Sequence, residues 1–186
     1  MFIYHAVPKQ MIGTKLETLN EIKKTNPELY ELYIDKYKPN RLSLLERRIP
    51  KLDCLWNDVI HFLPIHPKLV YNGLIEAGAK PGVHRLFYKI PLSTISSEAS
   101  IALYKYSKDK FKGINDDVDI SEIELLEVQG YRELEQLPQE TIDYYKIQIN
   151  SGNKFFGLFH FVPHVFIKGK VDIEHAEIID WNEQQI

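Results

Sequence analysis

Apolar and polar positions follow different periods along this chain, and the changes between them predict its elements. The start, FIYHAV, is a β-rich run closed by Pro8, which predicts a strand from Phe2 to Val7. Past Gly13 the spacing becomes helical. NPELYELYIDKYK, residues 26–38, offers Asn26 as N-cap and Pro27 at the first helical position, with Leu29, Tyr33 and Tyr37 at i, i+4 and i+8. A tyrosine stripe at this spacing reads as a core face, with a stacking surface for bases as the alternative. HPKLVYNGLIEAG repeats the grammar. His66 stands at the cap and Pro67 at N1, with Val70, Leu74 and Ala77 on one face and Gly78 past the end, which predicts a helix over 67–77.

From His84 the pattern alternates. HRLFYKI sets Leu86, Tyr88 and Ile90 against Arg85, Phe87 and Lys89, and SIALYKY follows after a polar link, so the two are expected as neighbouring antiparallel strands. Ile123 to Val128 predicts another strand, Pro138 to Asn150 a third main helix with Ile142, Tyr145 and Ile149 inward, and AEIIDW a last strand. FFGLFHFVPHVFIKG, residues 155–169, is the most apolar passage and is expected as one or two strands carrying His160 and His164 on one face. Strands interrupted by helices in this order, with no repeat or linker, imply a single α+β domain over 1–186. Its predicted architecture is a mostly antiparallel twisted sheet with about three main helices.

Composition narrows the classes. A formal charge of −3 argues against general nucleic-acid binding, although Arg41, Arg47, Arg48 and Lys51 form one compact basic cluster, read as a solvated helix face or as an anion contact. Cys54 is the single cysteine, so no intrachain disulfide forms, and no apolar run reaches the roughly 18 residues of a membrane span; the expectation is a cytoplasmic protein. Phosphate-loop, dinucleotide-fold and nucleophile-elbow motifs are absent, and the acids at 115–119 lack the order of a calcium loop. In a strand His160 and His164 stand about 13 Å apart, too far to share an ion, and no metal is expected.

Histidine is the remaining chemistry, since its proton exchanges near neutrality. His5, the segment WNDVIH with Trp56, Asn57, Asp58 and His61, then His66, His160 and His164 all sit in apolar surroundings, where an unpaired polar group is costly. Either they satisfy one another as structure or they line a pocket for a planar ligand.

Tyr4-His5 at the start of the chain, WNDVIHFLPIHPKLVY and HVFIKGKVDIEHAEIIDW together resemble ADP-ribosyltransferase-like domains, in particular the compact DNA-targeting toxin and RNA phosphotransferase branches. The resemblance implies NAD or a related nucleotide as ligand, with His5 at the ribose. It departs at His164, which stands where the transferases place a glutamate. On this reading His5, His61 and His164 are the candidate catalytic residues, and Trp56, Asn57, Asp58, His66 and His160 the candidate ligand contacts. The alternative is a non-catalytic protein-binding or regulatory module whose histidines are structural. Neither reading involves a membrane.

Overall fold

Two antiparallel sheets are built from seven main strands, and the computed structural model describes residues 1–37, 41–82 and 84–182. The strands are β1 (Phe2–Ala6), β2 (Val59–Phe62), β3 (Leu86–Pro91), β4 (Ser100–Tyr104), β5 (Ile123–Leu125), β6 (His164–Lys168) and β7 (Glu177–Asp180). β1, β3 and β7 form a three-stranded sheet with β3 in the middle; the other sheet runs β2, β6, β4, β5. Tyr4 and Leu63 exchange backbone hydrogen bonds of 3.0 and 2.8 Å, the single bridge between β1 and the end of β2. Two short ladders, Lys15–Leu16 with Val171–Asp172 and Arg48–Ile49 with Cys54–Leu55, close the margins.

Alternation along the strands sorts their side chains into layers. Ile3 and Ile90 of one sheet meet Ile60, Val165 and Ile167 of the other in a shared core. The opposite face of the three-stranded sheet, through Tyr4, Phe87 and Ile179, packs on helices α3 (Pro67–Glu76) and α4 (Gln139–Asn150), which contribute Val70, Leu74, Ile142 and Tyr145. The outer face of the four-stranded sheet, with Val59, Tyr104 and Phe166, is covered by Ile49, Leu52 and Cys54. The chain is a single α+β domain.

The helices obey their caps. Asn26 Oδ1 accepts the Leu29 N–H at 3.0 Å to open α2 (Pro27–Ile34), and His66 Nδ1 accepts the Lys68 N–H at 3.2 Å to open α3. Gly78 follows α3 at φ +91°, in the left-handed region that favours glycine. A fourth helix, α1 (Leu19–Thr25), capped by Thr18, adds to the three expected from the sequence. Tyr30 and Ile34, not the predicted stripe, are the buried residues of α2, and Lys38 at the end of the predicted helix lies outside the described residues.

Three expectations are corrected. β3 and β4 are not neighbours: they belong to different sheets, and β4 pairs with β5 and β6. The segment before β6 is not a strand, because 158–161 fold as turns closed by His160 N–H to the Gly157 carbonyl and Val162 N–H to the Phe159 carbonyl, with Phe161 at φ +61°. His160 therefore leaves the sheet and His164 opens β6. The basic cluster is a solvated face only in part, since Arg41 and Arg48 are exposed and Arg47 is not. Arg47 is 7% exposed, donates to the Asp116 carbonyl at 2.7 Å and lies 4.9 Å from the Trp56 ring, while Lys51 Nζ reaches the Ile123 carbonyl.

Candidate functional site

Beyond the Tyr4–Leu63 bridge β1 and β2 pair with other strands, and residues of both line one cleft of about 1230 Å³. The segment from Pro8 to Glu17 and the cavity side of α1 and α2 complete its wall. This volume exceeds the usual span of small-ligand pockets, roughly 300–1,000 Å³, and suits a molecule of dinucleotide size.

Of the residues singled out in the sequence, His5, Trp56, Asn57, His61 and His164 line this cleft; Asp58, His66 and His160 do not. His5 stands on β1 opposite Tyr88, its ring 5.5 Å from Phe62. His61 stands on β2 opposite Phe166, with its Nε2 3.0 Å from the Trp56 carbonyl. A carbonyl only accepts, so Nε2 carries the proton. The His61 ring centroid lies 4.5 Å from Trp56 and 6.2 Å from His164. Burial holds the His164 imidazole down to about 4, slightly opposed by the Val162 carbonyl, and Nδ1 makes no hydrogen bond of normal geometry. It is neutral at physiological pH and supplies no charge of either sign.

The three outside the cleft have structural partners. His66 caps α3, and burial, then Lys89, lower its pKa. His160 Nδ1 meets the Tyr106 hydroxyl at 2.8 Å, within rings of Tyr144 and Phe161 at 4.2 and 3.9 Å. Asp58 Oδ2 accepts the Leu55 N–H at 2.9 Å and Oδ1 accepts from Asn20 Nδ2.

Four cleft residues escape motif reading. Leu29, Tyr33 and Tyr37 form the stripe expected in the core; they pack, partly buried, against Ile22, Tyr30 and Ile34 and line the cleft as well, where the Tyr33 hydroxyl bonds the Gln10 carbonyl. Arg85 is half-buried with its guanidinium carbon 5.6 Å from the centroids of Phe159 and Trp181, and burial lowers its pKa. No hydrogen bond or ion pair engages that guanidinium among the described residues. A cation in an aromatic corner, with no counter-ion among the described residues, is a receptor for an anion.

No cluster of three metal-ligating side chains occurs among the described residues, and no helix among them is long and apolar enough to cross a membrane. Comparison with protein-family models, with curated proteins and with solved structures gave no match in any of the three.

Proposed function

We propose that this chain is a nucleotide-binding domain of the ADP-ribosyltransferase-like kind, taking NAD or a related nucleotide in the cleft between its sheets. One observation carries the reading. A half-buried guanidinium with no counter-ion among the described residues, Arg85, shares a single cleft with the aromatic walls of Trp56 and Tyr33. Phosphate oxygens fit the first, and a stacked base or nicotinamide ring fits the second. His5, at the ribose in the resemblance, lines the same cleft. A cytosolic setting belongs to this reading, with buried Cys54 as a free thiol.

Binding is better supported than transfer. An oxocarbenium-like transition state calls for a fixed negative charge beside the reacting carbon. His164 is neutral; of the acids lining the cleft, Glu17 is paired with Lys170 and Asp35 is exposed at the end of α2. The alternative, a protein-binding module with structural histidines, draws on the contacts of His66 and His160 and on Phe155, which is 96% exposed.

Thermal unfolding with NAD, ADP-ribose and AMP tests the proposal. A nucleotide at 100 times its dissociation constant adds about 2.7 kcal/mol of stability, and Arg85→Gln should shrink that gain by at least half. If no member of the panel shifts the transition, the reading fails.

A further inference from the structure

Asn57 is 7% exposed on the cleft wall, and its carboxamide ends a directed relay. Asp58, a carboxylate, can only accept, so the Asn20 amide must turn its Nδ2 toward Asp58 Oδ1. That leaves Asn20 Oδ1 as an acceptor, and Asn57 Nδ2 donates to it at 2.7 Å. The remaining atom, Asn57 Oδ1, is therefore an acceptor by necessity, and it is buried without a partner. An orphaned buried carbonyl is costly, and a bound group that donates to it removes the cost. Neither asparagine can flip to escape, because a flipped Asn20 would point its oxygen at the Asp58 carboxylate and a flipped Asn57 would point its oxygen at Asn20 Oδ1.

From this relay we infer that Asn57 Oδ1 is the specificity-determining acceptor of the cleft, and that it reads an amine or carboxamide carried in the plane of a heteroaromatic ring stacked near Trp56. Trp56, the preceding residue, lines the same wall with the Arg47 guanidinium over its ring, and a heteroaromatic ring packed beside it directs substituent N–H bonds sideways, toward Asn57. Asp58 and Asn20 do not touch the ligand; they are positioning residues that set the sign of the contact. The inference deepens the nucleotide reading by naming the group recognised, and rests on it only for the rest of the ligand.

Two measurements test it. The first needs no ligand. Asn57→Asp sets a carboxylate against Asn20 Oδ1 and should lower Tm by roughly 4–8 °C, whereas Asn57→Asp with Asp58→Asn reverses every donor in the relay and should restore most of the loss. If the double variant is no more stable than the single, or if Asn57→Asp costs nothing, the relay is wrong.

The second uses paired rings, monitored through the Trp56 indole by NMR: adenine against purine and nicotinamide against nicotinate, free and as their nucleotides. Wild type should prefer the donor-bearing member of at least one pair by roughly tenfold, the worth of one buried hydrogen bond, and Asn57→Leu should erase the preference. Equal binding within both pairs, no binding by any ring, or a preference that survives Asn57→Leu overturns the inference. Nucleotides that bind without discrimination overturn it alone. Free rings that discriminate while no nucleotide binds overturn the nucleotide reading and leave the acceptor standing.

Discussion

The Tyr106 hydroxyl lies 2.8 Å from His160 Nδ1, joining the loop after β4 to the turn before β6. Burial raises the tyrosine pKa, so the phenol keeps its proton and donates, which leaves the histidine proton on Nε2. Tyr106→Phe keeps the ring and deletes the donor. It should cost about 1 kcal/mol, seen as a Tm lower by roughly 2–4 °C at neutral pH, with strand content by circular dichroism unchanged. An unshifted Tm would show that this bond adds nothing net.

His164 makes stability depend on pH. Its unfolded form binds a proton near 6.5 and its folded form only near 4, so the unfolded chain holds more protons between those values. The contribution is complete above about pH 6.5, falls as pH drops toward 4 and is lost below it; it amounts to something on the order of 3 kcal/mol. His66 and His160, lowered by burial as well, tilt stability in the same direction. His164→Leu should leave stability near neutrality intact and shrink the acid loss, measured by urea unfolding at about pH 7.5 and about pH 4.5. Identical acid losses in both proteins would contradict the assignment.

Arg47 holds Trp56 in place against the cleft. Its guanidinium lies 4.9 Å from the indole centroid while Nε donates to the Asp116 carbonyl. Lysine keeps the charge but lacks the planar fork, so Arg47→Lys should destabilise by about 1–3 kcal/mol and shift Trp56 fluorescence, whereas exposed Arg41 replaced by lysine should do neither. Equal effects at the two positions would remove the role given to the stacked pair.

Much of the fold was legible because its signals are local. Asn26-Pro27, His66-Pro67 and Gly78 mark helix ends through single-residue backbone preferences, and they hold. Neighbourhood is not local. The residues of β3 and β4 follow each other with clean alternation, yet the strands pair with different partners, Tyr88 in register with His5 and Ala102 with Phe166. The apolar run at 155–163 reads as strand by composition, but it folds into turns in which Phe161, with Tyr144 of α4, packs around His160. Arg85 reads as the polar phase of a strand that in fact starts one residue later, at Leu86, and nothing in its spacing marks a cation with no counter-ion among the described residues. Polar and aromatic placement found five cleft residues; it also named Asp58, His66 and His160, which belong to capping and packing, because burial alone does not distinguish a ligand contact from a satisfied side chain.

The bridge between Tyr4 and Leu63 makes the cleft a lever with a short fulcrum. Each residue beyond it lies about 3.3 Å farther along its strand, so a 5° turn at the joint moves a wall four residues away by about 1 Å. The fulcrum is fixed from outside the cleft, since Glu133 binds the Tyr4 hydroxyl at 3.0 Å and the Phe2 N–H. Evolution could thus resize the opening for a larger or smaller molecule by altering Glu133, leaving every residue that faces that molecule unchanged.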